Sequence, residues 1–303
     1  MYYTHLPDHT KPGFDEAQHF NSFRRHNIIF NAASSESYCE DHVGCLSIKT
    51  VLSGTETYGV EGRQLTVHPG QFLVLNNEQR YSSRIRSKET VQCVSIFFKN
   101  EFAATVFSDT QRDDAYWLDN AGTSSHRLPE FFQMLRPITP ALHQQYSSLL
   151  SMLNTNGYEE SMTDEYLVFF LRHLIIMHGG DITASNQVKA IKAGTRKEIY
   201  KRLCVARDIL HSTPGHQIDL SQIGAQSGLS VPQLVRQFKA VFHTTPYRYL
   251  SNIRLQQAAH LLQRTNEPVQ DIAWMCGFES AGAFARAFRA AYGVQPTFFR
   301  ANG

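Results

Sequence analysis

Apolar residues come in short runs over the first hundred positions and at helical spacing over most of the rest. The segments 27–33 (NIIFNAA), 44–52 (GCLSIKTVL), 55–60 (TETYGV), 71–76 (QFLVLN) and 91–98 (VQCVSIFF) are rich in Val, Ile, Phe, Tyr and Thr, the residues that suit a pleated, half-buried surface. Turn signals stand at Ser53-Gly54, Glu61-Gly62 and Pro69-Gly70. Short strands so closely spaced predict an antiparallel barrel or jelly roll. After Asn100 the texture changes: a short helix near Glu101 to Phe107, a polar loop over Asp109 to His126, then helices over Leu142 to Asn154 and Glu159 to His178. In the last of these, Met162, Tyr166, Phe169 and His173 recur at helical spacing, with Leu167, Phe170, Leu171 and Leu174 beside them. A helix apolar around most of its circumference is buried in its own core or against a partner. The stretch 179–194 (GGDITASNQVKAIKAG) lacks apolar periodicity and reads as a linker.

Beyond the linker the pattern is helical and repeats. IGAQSGLSVPQLVRQFKAVFHTTP (Ile223 to Pro246) aligns with IAWMCGFESAGAFARAFRAAYGVQP (Ile272 to Pro296), with Gly228 over Gly277, Arg236 over Arg286 and Phe238 over Phe288. Each copy predicts a short helix, a glycine turn and a second amphipathic helix. In the first, Asp219 caps, Leu220 and Ile223 face inward, Gly228 turns the chain and Ser230 caps the next helix. Leu234, Phe238 and Val241 form the buried stripe of that helix, opposite Pro232, Val235, Arg236 and Lys239. In the second, Pro268 starts the helix and Ile272 and Ala273 face inward. Phe284, Phe288 and Ala291 are buried, leaving Gly282, Ala285, Arg286 and Arg289 outward. Such a unit places its second helix in the DNA major groove. Arginine grips guanine O6 and N7 with two parallel donors, and small neighbours allow close approach. Lys239 and Arg289, a turn further on, suit phosphates. Between the copies, 246–263 predicts one amphipathic helix with Leu250, Ile253, Gln257, Ala258, Leu261 and Leu262 inward. It spans about 27 Å at ~1.5 Å per residue, enough to hold two reading helices about one DNA turn, ~34 Å, apart.

Charge agrees with that division. From Thr195 onward there are 13 Lys and Arg against 6 Asp and Glu; before it, 16 against 21. A basic domain attracts the phosphate backbone. The N-terminus has no basic start followed by an apolar run, and the most apolar stretch, Tyr166 to Met177, falls short of the ~20 residues of a membrane span. Five cysteines, Cys39, Cys45, Cys93, Cys204 and Cys276, form no CxxC pair, which points to reduced thiols in a cytoplasm. A redox pair at Cys39 and Cys45 is a weaker alternative. No nucleophilic triad or phosphate loop stands out, so no enzyme is expected.

RLQQAAHLL (Arg254 to Leu262), IAWMCGFES (Ile272 to Ser280), Phe284, Arg286, Phe288, Tyr292-Gly293, Pro296 and Phe299-Arg300 together resemble the AraC/XylS family of transcription regulators. The resemblance covers Arg196 to Asn302, with Gly224 standing where the family usually has alanine. It implies seven helices and two helix-turn-helix units, with base contacts at Pro232, Val235 and Arg236, then Ala281, Gly282, Ala285 and Arg286; Gln233, Lys239, Ser280 and Arg289 join them as expected DNA-binding residues. GTETYGVEGRQLTVHPGQFLVLN (residues 54–76) resembles the cupin barrel of such regulators. His42 and His68 never form HxH, and Arg80 lies near where related sequences carry a histidine, so neither a metal nor any other cofactor is expected. The expected fold is α+β in two domains. A cupin-like antiparallel β-barrel with appended helices, for sensing or dimerisation, spans 1–180, a linker 181–195, and an all-α DNA-binding domain 196–303. The implied partners are double-stranded DNA, a small-molecule effector in contact with Tyr58, Phe72 and Tyr81, a second copy of the chain, and RNA polymerase, with no membrane. The implied role is a cytoplasmic, nucleoid-associated bacterial regulator, by the resemblance an activator.

Overall fold

The computed structural model describes residues 1–7, 16–111, 128–212 and 219–301. The chain divides into two compact units, Met1–Ile182 and Thr183–Gly303. Most of the expected loop over Asp109 to His126 lies outside the described residues; Asp109 to Gln111 end a helix.

The first unit is a mixed sheet with helices. In chain order it contains β1 (Tyr2–Tyr3), α1 (Glu16–Arg25), β2 (Ile28–Val43), β3 (Ser47–Ser53), β4 (Glu56–Val60), β5 (Arg63–Val67), β6 (Gln71–Leu75), β7 (Arg80–Phe97), α2 (Asn100–Gln111), β8 (Arg136–Pro137), α3 (Pro140–Asn156) and α4 (Glu160–Ser185). The long strand β7 organises the sheet. It lies antiparallel to β2 from Ile28↔Phe97 to Val43↔Arg80. On its other edge it pairs β3 through its second half and β4 through its first half. β3 continues to β6 and then β8, and β5 pairs β4. The hydrogen-bonded path runs from β1 to β8.

Alternation of side chains across the pleat gives this sheet two apolar faces. Ile29, Ile48, Phe72, Val74, Val94 and Ile96 share one cluster with Leu142, Tyr146 and Leu149 of α3 and Leu167, Phe170, Leu171 and Leu174 of α4. Val51, Tyr58, Leu73, Leu75, Tyr81 and Cys93 form the other. β3 and the end of β7 are buried on both faces, which is why their sequences read as continuous apolar runs.

Helix α4 departs from expectation at its end. The expected linker over 181–195 is shorter, because α4 continues through Gly179 and Gly180 to Ser185 and the next helix starts at Ala193. Asp181, 10% exposed, forms an ion pair with Arg136 of β8, 11% exposed, and Ser185 is buried. Helix α4 is 26 residues long with a mean hydropathy of 1.2 over its most apolar 18 residues, long and apolar enough by composition to cross a membrane, unlike the shorter run measured in sequence. Its Leu167, Phe170 and Leu174 side nevertheless packs on the sheet, and its far end carries the Arg136–Asp181 pair. The opposite side exposes Phe169 at 58% and Ile176 at 69%.

The second unit is all helical among the described residues: α5 (Ala193–Ser212), α6 (Leu220–Ser227), α7 (Val231–Phe242), α8 (Pro246–Arg264), α9 (Val269–Met275), α10 (Ala281–Tyr292) and α11 (Pro296–Ala301). α8 joins two cores. Near its start Tyr249 packs edge-on against Phe238 of α7 at 5.4 Å. Further along, Leu255, Ala258, Ala259 and Leu262 enter a cluster with Ile272, Ala273, Cys276, Phe284 and Phe288. Leu255 and Ala259, not the expected Gln257, complete its inner side; Gln257 is exposed.

Candidate nucleic-acid interface and sheet cavity

The two helix-turn-helix units close their turns with the same hydrogen bonds. In the first, Asp219 caps α6 by accepting the Ser221 N–H at 2.8 Å, and Gly228 takes the left-handed conformation with φ 67°. The Leu229 N–H then donates to the Gly224 carbonyl at 2.8 Å, and Gly228 N–H to Ala225 at 3.3 Å. In the second, Phe278 N–H donates to Ala273 and Gly277 N–H to Trp274, each at 2.9 Å, with Gly277 at φ 76°. Each glycine supplies a backbone conformation that side chains disfavour, so each turn reverses the chain within a few residues. Gly224 has its own reason. A Cβ there would stand 2.6 Å from the Leu229 carbonyl oxygen, so this turn is closed more tightly than alanine allows.

These turns present α7 and α10. Leu234, Gln237, Phe238 and Val241 are buried on α7, and Phe284 and Phe288 on α10. Ala291, expected inside, is exposed: the helix ends one residue later, and it is Tyr292 that closes this end of the core by stacking on Phe288 at 4.5 Å. Pro232, Arg236 and Lys239 are exposed on α7, with Gln233 and Val235 partly covered; on α10 Gly282, Arg286 and Arg289 are exposed, with Ala281 and Ala285 partly covered. Ser280 uses its hydroxyl to cap α10, accepting the Ala283 N–H at 3.2 Å. Ser230 stands at the corresponding cap of α7 but makes no side-chain cap bond. The Arg286 guanidinium lies 3.7 Å from where a Cβ on Gly282 would be, an ordinary contact distance. Among the described residues Arg236, Lys239, Arg286 and Arg289 make no ion pair and no side-chain hydrogen bond. Four cations left unpaired on two equivalent faces suit an anionic surface better than a network of surface salt bridges.

Two further arginines tie the helix-turn-helix backbone to a neighbouring helix, and sequence pattern alone does not single them out. Arg202 of α5 donates to the Gly228 carbonyl at 2.9 Å while pairing with Glu198, and Arg300 of α11 donates to the Glu267 carbonyl at 2.5 Å.

The sheet unit holds a cavity of roughly 70 Å³ bordered by Lys49, Glu56, Tyr58, Tyr81, Ser95 and Phe97, among others. Two of the three expected ligand contacts, Tyr58 and Tyr81, meet there with ring centroids 6.2 Å apart. Phe72 points away and packs on the helix-covered face with Ile48 and Val74. His42 lies edge-on to Tyr81 at 5.2 Å, while His68 is exposed at the turn after β5. Arg80 pairs with Asp41 on the surface. Sequence reasoning missed Lys49 and Glu56; the available signal was a lysine in the middle of the apolar strand Leu46 to Leu52. Burial pushes the Lys49 ammonium down to about 8, partly offset by the Glu56 charge, and burial raises the Glu56 carboxyl. The Cys45 thiol is pushed up to about 12 by burial, which suppresses the thiolate that a redox pair with Cys39 would need.

Comparison with known proteins agrees with this geometry. A helix-turn-helix domain model matches residues 223–302, and the model described as the regulatory protein PchR N-terminal domain matches residues 31–182, half of the chain. The chain belongs to the AraC family of helix-turn-helix transcription regulators. It is 39% identical over 84 residues to the HTH-type transcriptional activator RhaS of Klebsiella pneumoniae, covering 28% of this chain and 30% of RhaS. It is 33% identical over 90 residues to the HTH-type transcriptional regulator MtrA of Neisseria gonorrhoeae, 30% of each. The matches thus span under a third of the length of these curated relatives. Among solved structures, an AraC-type regulator from Chromobacterium violaceum aligns at 29% identity and TM-score 0.32, over 36% of this chain and 95% of its own.

Proposed function

We propose that the chain is a sequence-specific DNA-binding regulator that reads two successive major grooves with α7 and α10. Arg236 and Arg286 contact guanines, Lys239 and Arg289 hold phosphates, and Val235, Ala281, Gly282 and Ala285 approach thymine methyls or follow groove shape. The observation that carries this reading is the pair of identical turns, each presenting a helix with unpaired outward cations. The 19 residues of α8 between them span about 28 Å, close to one DNA turn. Selection of binding sites by the full chain should return a motif of two elements with centres ~10 bp apart. A single element refutes the two-groove reading.

The sheet unit, on this proposal, closes as a cupin-like barrel around its cavity and senses a small molecule, which biases DNA binding or dimerisation. The domain division expected from sequence, 1–180 and 196–303, is proposed with its linker narrowed to the segment 186–192 between α4 and α5. The Phe169 and Ile176 side of α4 supports a homodimer, because a monomer gains nothing from exposing such residues on one helix face. An activating role draws on the similarity to RhaS, named a transcriptional activator; RNA polymerase as partner and a cytoplasmic location complete the proposal.

A further inference from the structure

Lys49 and Glu56 stand on β3 and β4, consecutive strands that pair with different stretches of β7, and both line the cavity while only 3% and 6% exposed. The Lys49 ammonium lies 3.5 Å from the centroid of the Phe97 ring and 5.5 Å from that of Tyr81. Among the described residues it makes no hydrogen bond, and no carboxylate, Glu56 included, comes within the 4.0 Å of an ion pair. Ring faces satisfy part of its charge but not its three N–H donors. The two buried groups share a cavity without touching; the Tyr58 hydroxyl is a hydrogen-bond partner of the Glu56 carboxyl, which keeps further acceptor sites, while the Lys49 donors are unmet. A bound molecule carrying both charges completes both at once: a carboxylate for Lys49, and an ammonium for Glu56 within reach of the Tyr58 and Tyr81 rings. Ser95, 6% exposed, adds a hydroxyl to the same lining.

Size narrows the class. A cavity of roughly 70 Å³, against the ~10–15 Å³ needed for one water, has room for about half a dozen non-hydrogen atoms. That is far below the ~300–1,000 Å³ of a site for drug-sized ligands.

We infer that this cavity binds a small zwitterion of amino-acid type, with its carboxylate on Lys49 and its ammonium on Glu56. The inference rests on reading the sheet unit as a sensor. Calorimetric titration of the full chain with glycine, alanine, serine and γ-aminobutyrate, beside propionate and propylamine, tests it. At least one zwitterion should bind about tenfold or more tightly than either singly charged probe, since charge-assisted hydrogen bonds at both ends contribute. Lys49→Met and Glu56→Gln should each reduce its affinity to the level of the singly charged probes. Propionate binding as tightly as the zwitterions overturns the inference in favour of a plain anion site. Binding of none of the four leaves only a hydrated structural charge pair, and also overturns it. Both comparisons use the unaltered chain, so they hold even if a variant misfolds. A DNA footprint recorded with saturating zwitterion separates the two levels: unchanged occupancy sinks the sensor reading and leaves the cavity assignment standing.

Discussion

The side-chain amide of Gln237, on α7 and 1% exposed, holds the backbone of Lys189 at two points. Its Oε1 accepts the Lys189 N–H at 3.0 Å, and its Nε2 donates to the Lys189 carbonyl at 3.4 Å. Gln237 sits one position after Arg236, so the segment leading into the helical unit is fastened to the inner side of the same helix that presents that arginine outward. Replacing Gln237 by Leu removes the partner of the part-buried Lys189 amide, at a cost of about 0.5–1.5 kcal/mol. Hydrogen exchange of the Lys189 N–H should accelerate by up to about tenfold in Gln237→Leu, the factor that ~1.4 kcal/mol represents. Unchanged protection means that the clamp contributes nothing.

Arg236 and Arg286 are exposed and unpaired, so removing them leaves the fold intact. Each arginine-to-guanine contact discriminates by about 1–3 kcal/mol. Arg236→Ala and Arg286→Ala should each relax specificity at one half of the operator by about tenfold in competition gel shifts, with unchanged melting temperature. Lys239→Ala should weaken binding to all sequences alike and flatten the salt dependence.

Dimerisation through α4 is checked by charge. Phe169→Glu with Ile176→Glu, at positions 58% and 69% exposed, should convert a dimer to a monomer in sedimentation while the circular dichroism spectrum stays unchanged. A dimer that survives both substitutions places its interface elsewhere.

His211 sets an acid limit on the helical unit. Its Nε2 lies 3.0 Å from the Tyr249 hydroxyl, and burial, with the nearby Arg207 charge, pushes its pKa down to about 4 from the usual 6.5. Above pH 6.5 both folded and unfolded chains hold it neutral, and the unit keeps its full stability. As pH falls from 6.5 towards 4, the unfolded chain binds a proton that the folded one refuses, and stability falls by up to about 3 kcal/mol. His211→Gln should show a smaller loss over that window in urea titrations. An identical pH profile contradicts the shift.

Much of this was legible in sequence because two signals reinforced each other. A glycine turn between amphipathic helices is a local instruction, and finding it twice with arginines in register made its purpose readable. Gly228 and Gly277 close the same turn, and Phe238 and Phe288 are both buried. The sheet was most legible where apolar residues line one or both of its faces. The first half of β7, Arg80 to Val91, and the second half of β2, Ser34 to Val43, are rich in Ser, Glu and Arg, because many of their side chains meet water. Their partner strands, not their composition, make them strands. Helix α4 outruns its apolar period because Asp181 finds Arg136 far away in sequence, which no periodicity reports. Phe72 and Tyr58 look alike as aromatic strand residues, yet the pleat sends them to opposite faces. One residue of register decides which of them borders the cavity.

The duplicated reading unit is tested most directly by hydroxyl-radical footprinting of the full chain on a selected operator. The account predicts two protected patches on one face of the duplex, centred ~10 bp apart, with Arg236→Ala weakening one patch and Arg286→Ala the other. A single protected patch, or two that respond alike to either substitution, contradicts it.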